Sequence, residues 1–147
     1  RNATAANVFL LGRSLGGTVA VRLASEADSA AGKAGTKGVI LQSTFSSYKG
    51  AASTGLPLLG WVASSVWPAD MGPPSDYAPD IKSCLHQFHS TKDEYVKLSL
   101  ATDLYNEIQT ADSECKKFLE VNEGKHDSEM TAEEKASLST WFDSILA

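Results

Sequence analysis

Four apolar residues, Val8-Phe9-Leu10-Leu11, run directly into Gly12-Arg13-Ser14-Leu15-Gly16-Gly17. An apolar run closed by glycine reads as a fully buried strand over Asn7 to Leu11. Beyond Ser14, Leu15, Val19, Leu23 and Ala27 recur at helical spacing, which predicts a helix ending near Gly32 and Gly35. The serine therefore sits on a tight turn between strand and helix. Gly12 and Gly16, two positions either side of it, remove side chains that a sharp turn would drive into its neighbours, and Gly17 lets the helix pack closely. A bare G-x-S-x-G arises by chance in on the order of one in twenty chains this long, so the strand before it and the helix after it carry the signal.

The rest of the chain continues the alternation. Gly38 to Gln42 reads as a second short strand, far enough from the first for one crossover helix, as parallel pairing requires. Ile81 to Phe88 returns to strand character, Lys97 to Ile108 puts Leu98, Ala101, Leu104, Tyr105 and Ile108 on one helical face, and Lys117 to Val121 reads as a fourth strand. Thr131 and Glu134 form a capping box ahead of Leu138, Trp141, Phe142, Ile145 and Leu146, a final helix. The expected architecture is α/β, a mostly parallel sheet flanked by helices on both faces, with any active site at the carboxyl ends of the strands. One domain spanning 1–147 is expected, since 42% hydrophobic and 21% charged residues suit a single globular unit. Ser46 to Ser83 reads within it as a cap-like insertion rich in glycine, proline, serine and tryptophan. Cys84-Leu85-His86-Gln87-Phe88 is more polar than a central parallel strand should be, which predicts an edge-like or frayed third strand.

Composition excludes several classes of function. A formal charge of −5 without any lysine or arginine cluster argues against a nucleic-acid partner. The longest apolar stretch, Leu56 to Trp67, is interrupted by Gly60, Ser64 and Ser65 and is too short to cross a bilayer. The two cysteines, Cys84 and Cys115, are too few for a disulfide framework and are expected as buried, inert thiols in a reducing compartment. No cysteine–histidine cluster has metal-ligand spacing, so neither metal nor cofactor is implied. Opening on Arg1 without a signal-peptide pattern, the chain is expected to be part of something longer.

A serine hydroxyl is a poor nucleophile until a base takes its proton, and its attack on a carbonyl needs donors for the oxyanion that develops. The amide of Leu15, first in the helix after Ser14, is one such donor, assisted by the positive end of the helix. GRSLGG resembles the intracellular serine hydrolases of the α/β-hydrolase-domain family that includes protein depalmitoylases. Leu41-Gln42-Ser43-Thr44-Phe45-Ser46-Ser47 is similar to that family's segment after the next strand, and the resemblance runs, with a gap in the insertion, to the C-terminal helix.

The resemblance implies a serine, an acid and a histidine in that chain order, each on a loop leaving a strand. Asp93, in Phe88-His89-Ser90-Thr91-Lys92-Asp93-Glu94-Tyr95-Val96, resembles the family's H-G-x-x-D acid loop, with Ser90 where glycine is usual and Glu94 as the fallback acid. His126, in Glu123-Gly124-Lys125-His126-Asp127, resembles its G-x-H loop. Ser14 would attack, His126 would accept and return the proton, and Asp93 would fix the imidazole tautomer. Of the other two histidines, His86 reads as a satisfied strand residue and His89 matches a family position outside the triad; Asp127 reads as solvated.

Trp61 and Trp67 in the insertion would either contact an acyl chain or complete the core. The expected activity is hydrolysis of carboxylic esters or thioesters, with a small-molecule or protein-bound acyl substrate and peripheral membrane contact at the cytosolic face implied by the resemblance. A domain that keeps the fold for non-catalytic interaction is the alternative. The resemblance also makes the first strand the family's fifth. Earlier strands are then expected upstream, with a loop supplying a second oxyanion donor, and without them Val8 to Leu11 would be an exposed apolar edge.

Overall fold

A computed structural model describes residues 8–53 and 72–147. β1 (Phe9–Arg13), β2 (Gly38–Gln42), β3 (Cys84–Ser90) and β4 (Lys116–Val121) form a parallel sheet in the order β1-β2-β3-β4. The connections carry α1 (Leu15–Ala31), α2 (Tyr48–Ser53), α3 (Pro74–Tyr77) with a 3-10 turn (Ala78–Asp80), and α4 (Leu98–Glu107) with a second 3-10 turn (Ser113–Cys115); α5 (Ala132–Leu146) closes the chain.

Helices cover both faces. Ala20, Val21 and Ala24 of α1, Leu104 of α4 and the flanking Ala78, Ile81 and Ile108 pack on Val39, Leu41 and Leu85. On the other face Trp141 of α5 packs with Ile40 and Phe88, and its indole Nε1 donates to the Cys115 carbonyl at 2.8 Å. The expected capping box forms, with Glu134 N–H donating to Thr131 Oγ1 at 3.1 Å and Thr131 N–H to Glu134 Oε2 at 2.6 Å. Gly38 allows α5 this close approach, because a Cβ there would lie 2.6 Å from the Trp141 ring.

Four sequence expectations are corrected. The first strand runs Phe9–Arg13 rather than Asn7 to Leu11, and it is not fully buried: Leu11 is 62% exposed. Among the described residues β1 pairs only with β2, and α5 reaches Phe9 through Trp141 and Phe142. The buried face of α1 is Gly17, Thr18, Ala20, Val21, Ala24, Ser25 and Asp28, while Val19 and Leu23 are exposed, because a helix rich in small residues lays its alanine face on the sheet.

The third correction concerns β3, which is neither edge-like nor frayed but lies between β2 and β4. Its polar side chains find partners in the covering layers: Gln87 Nε2 donates to the Ala101 carbonyl at 2.8 Å, and His86 Nε2 lies 3.0 Å from Ser137 Oγ. The fourth concerns Cys84 and Cys115, which are not free thiols but a disulfide. The first residue of β3 and the last of the 3-10 turn bring their Cα atoms to 5.1 Å, a proximity that counting cysteines cannot reveal.

Both described ends of the stretch 46–83 are built into the body of the fold, Ala51 against Phe45 and Val96, Ala78 and Ile81 in the α1 core. Its middle, with Trp61 and Trp67, lies outside the described residues. Among the described residues no helix is long and apolar enough to cross a membrane.

Candidate active site

Ser14 occupies the turn between β1 and α1 with φ 49° and ψ −123°, a left-handed backbone that a non-glycine residue rarely adopts. The conformation is held by the Ser14 N–H, which donates to the Gln42 carbonyl at 2.8 Å, and by the absence of side chains around it. A Cβ on Gly12 would meet Gly17 Cα at 2.5 Å, and one on Gly17 would meet Thr44 Oγ1 at 1.9 Å. Gly16 differs from the expectation: a Cβ there meets nothing within 4 Å among the described residues, so the turn needs glycine before the serine and at Gly17. Leu15 opens α1, where its N–H has no carbonyl four residues back to bond.

Asp93 follows β3 and His126 follows β4. His126 Nε2 lies 2.8 Å from Ser14 Oγ, and His126 Nδ1 lies 2.8 Å from Asp93 Oδ2. A carboxylate can only accept, so Nδ1 carries the proton and Nε2 is left to accept from the serine hydroxyl. The three residues named from sequence are thus joined end to end at the carboxyl edge of the sheet. The Asp93 carboxyl is wholly buried. Burial alone would push its pKa up, but hydrogen bonds from His126 and from the backbone of Val96 and Tyr95 outweigh it and hold the group below its ordinary value. Its Oδ1 accepts from Tyr95 N–H at 2.9 Å and Val96 N–H at 2.8 Å, so it stays ionised and pointed at the imidazole.

Glu94 does not reach the ring. Its Oε2 instead accepts from the His126 backbone N–H at 3.2 Å. Ser90, standing where glycine is usual, ties the acid loop to the histidine loop: its hydroxyl donates to the Gly124 carbonyl at 2.7 Å and accepts from Lys92 N–H at 3.0 Å. His89 is fully buried, with Nε2 2.9 Å from the Val96 carbonyl and 3.7 Å from Asp93 Oδ2. Burial pushes its pKa down.

Two contributors were not singled out from sequence. The Tyr95 ring stands edge-on to the His126 ring with centroids 5.3 Å apart, and Arg13 Nη2 donates to the His126 carbonyl. Arg13 lies inside the serine motif, and that neighbourhood was the only signal available, because its partner is 113 residues away.

The chain matches no protein-family model and no curated protein. Its fold matches solved structures at low identity. An acetyl xylan esterase from Thermoanaerobacterium sp. aligns with TM-score 0.68 and 16% identity over 96% of this chain and 46% of that one. An acylaminoacyl peptidase from Pyrococcus horikoshii aligns with TM-score 0.69 and 16% identity over 96% of this chain and 24% of that one. An α/β-hydrolase enzyme from a sediment metagenome aligns with TM-score 0.67 and 16% identity, covering 95% and 63%. The fold is that of the α/β-hydrolases, and the chain spans from about a quarter to under two thirds of the length of the structures it matches here.

Proposed function

We propose that this chain carries the catalytic residues of a serine hydrolase that cleaves carboxylic esters or thioesters through an acyl-enzyme. The observation that carries the reading is the unbroken line Ser14 Oγ, His126 Nε2, His126 Nδ1, Asp93 Oδ2, with both contacts at 2.8 Å, standing on the turn that the fold reserves for a nucleophile. The esterases and peptidases among its structural neighbours support the same class.

In this reading Ser14 Oγ attacks the acyl carbonyl carbon while its proton passes to His126 Nε2, and the ionised Asp93 stabilises the imidazolium. Leu15 N–H donates to the oxyanion. Collapse breaks the carbonyl–oxygen or carbonyl–sulfur bond, and Nε2 hands its proton to the departing alcohol or thiol. Water then enters by the same route, giving its proton to His126 as it attacks, and the acid product leaves with Ser14 restored. Losing one such oxyanion donor lowers kcat on the order of 100- to 1,000-fold. The apolar sequence around Trp61 and Trp67 suits an acyl chain, from a lipid or from a modified protein at a membrane surface.

A fluorophosphonate tests the reading on the intact protein. A single adduct on Ser14 is expected, abolished in Ser14→Ala while the circular dichroism spectrum is unchanged. Labelling that persists in Ser14→Ala, or an intact wild-type protein that takes no label, would overturn it.

A further inference from the structure

The geometry points to Arg13 and Glu94 as positioning residues that hold the His126 main chain from both sides, an inference that rests on the hydrolase reading of the same site. The His126 carbonyl accepts from Arg13 Nη2, and the His126 N–H donates to Glu94 Oε2 at 3.2 Å. Each clamp residue sits beside another member of the proposed triad, Arg13 next to Ser14 and Glu94 next to Asp93. Two closed circuits result. Ser14 and His126 are joined once through hydroxyl and imidazole and again through Arg13. Asp93 and His126 are joined once through carboxylate and imidazole and again through Glu94.

The doubling has a chemical use. Once Ser14 Oγ carries an acyl group it has no proton to donate, and Nε2 must turn to the leaving group and then to water. One of the two bonds that locate the ring in the resting site, that to Ser14 Oγ, is gone during that interval, leaving only Asp93 to hold it. The bonds to the His126 backbone involve no reacting atom and persist. A guanidinium suits this task because it never loses its proton, and its charge strengthens the bond to a neutral carbonyl. Arg13 is half-buried and Glu94 exposed, so neither bond contributes much to stability. Their effect is expected on turnover.

Two readouts on the intact protein test the clamp. The imidazole nitrogen chemical shifts of His126 report the share of the Nδ1–H tautomer whether or not the protein turns over substrate. Turnover of p-nitrophenyl acetate separates kcat from KM. Wild type is expected to show the Nδ1–H tautomer alone. Arg13→Met and Glu94→Ala are expected to give a mixture, with kcat lower by about 10- to 100-fold, the scale of a misplaced catalytic group, and KM within about twofold. Glu94→Gln keeps an acceptor oxygen for the His126 N–H and should restore kcat to within about threefold of wild type.

The inference falls if Arg13→Met and Glu94→Ala both keep the wild-type tautomer and kcat, if the loss appears in KM alone, if Glu94→Gln is as slow as Glu94→Ala, or if the wild-type ring is already a mixture. A wild-type protein with the Nδ1–H tautomer but no fluorophosphonate adduct would sink the hydrolase reading instead. The tautomer comparison would then still decide the clamp.

Discussion

Two buried aspartates stand at opposite ends of the sheet, and nearly everything that separates structure from chemistry in this molecule separates them. Asp28, 1% exposed, lies at the amino end, where Oδ1 accepts from Gly35 N–H at 2.5 Å and Ser83 Oγ at 2.8 Å, and Oδ2 from Lys82 N–H at 2.6 Å and Ser83 N–H at 2.8 Å. Asp93 lies at the carboxyl end, where Oδ1 accepts from two backbone donors while Oδ2 meets His126 Nδ1 at 2.8 Å, with His89 Nε2 3.7 Å off and bonded instead to the Val96 carbonyl. Four neutral donors knit a loop and the start of a strand onto α1. Giving one oxygen to an imidazole instead places the same carboxylate in the proton path of the proposed reaction.

The sharpest way to break this comparison is to make one substitution at both places. Asp93→Asn can present its remaining oxygen to Tyr95 and Val96 and its amide to His126, which accommodates it by moving its proton to Nε2. The fold should survive, and ester turnover in the intact protein should fall by about 10⁴-fold, the loss caused by the wrong tautomer in a serine triad. Asp28→Asn has only part of that escape: with its amide nitrogen turned to the Ser83 hydroxyl, which can accept, it still faces the Gly35 N–H, which cannot change. Urea unfolding should show a loss of about 1–3 kcal/mol from that unsatisfied group, with Ser14 still labelled by a fluorophosphonate under folding conditions. A stable, active Asp28→Asn, or an Asp93→Asn that unfolds, would erase the distinction.

The disulfide belongs to the structural end. Cys84 opens β3 and Ser90 closes it, six residues on, so the bridge lies about 20 Å from the site at the usual rise of a strand. It joins residues separated by 31 positions, a loop for which the chain-entropy account gives about 3–4 kcal/mol. Replacing both cysteines with serine should lower the urea-unfolding free energy by about that amount, while the rate of Ser14 labelling stays within about twofold. Unchanged stability would show the bridge to be idle, and lost labelling would show that the two ends are coupled.

The same division explains what could be read from the sequence. The turn at Ser14, the strand at Gly38–Gln42, the helix over Leu98–Glu107 and the capping box at Thr131 are local patterns, and each lies where the residues indicated. Asp93 and His126 were picked out by the resemblance of their loops and by chain order, and the structure sets both at strand ends within reach of one another. Two of the misreadings concern partners in another layer. Gln87 and His86 make β3 look unfit for an interior until Ala101 on α4 and Ser137 on α5 are in place. The stripe Val19 and Leu23 is as regular as the alanine stripe that α1 buries, and only the sheet beneath chooses between them. Arg13 and the cysteine pairing are invisible because their partners lie 113 and 31 residues away along the chain.

The smallest effect extends the contrast to two imidazoles. His126 shares a proton with a carboxylate, whereas fully buried His86 meets the Ser137 hydroxyl, the edge of Trp141 at 5.5 Å and that of Phe88 at 5.6 Å. Burial, with Lys117 nearby adding to it, brings the His86 pKa down from 6.5 to about 4. Above pH 6.5 the ring is neutral whether the chain is folded or not, and its contribution to stability is complete. As the pH falls from 6.5 towards 4 the unfolded chain binds a proton that the folded one refuses, so stability must fall. At about 1.4 kcal/mol per pH unit the loss approaches about 3 kcal/mol and levels off below the folded pKa. His89, also lowered by burial, adds to the slope in the same direction, and Asp93 adds its own loss only at more acid pH, as its carboxylate takes up a proton. His86→Leu should therefore flatten the pH dependence of the urea midpoint between pH 6.5 and 4 without abolishing it, whatever it does to absolute stability. An unchanged slope would mean that the ring in the middle of the sheet titrates freely, and that the buried polar groups of β3 are less sealed than their partners imply.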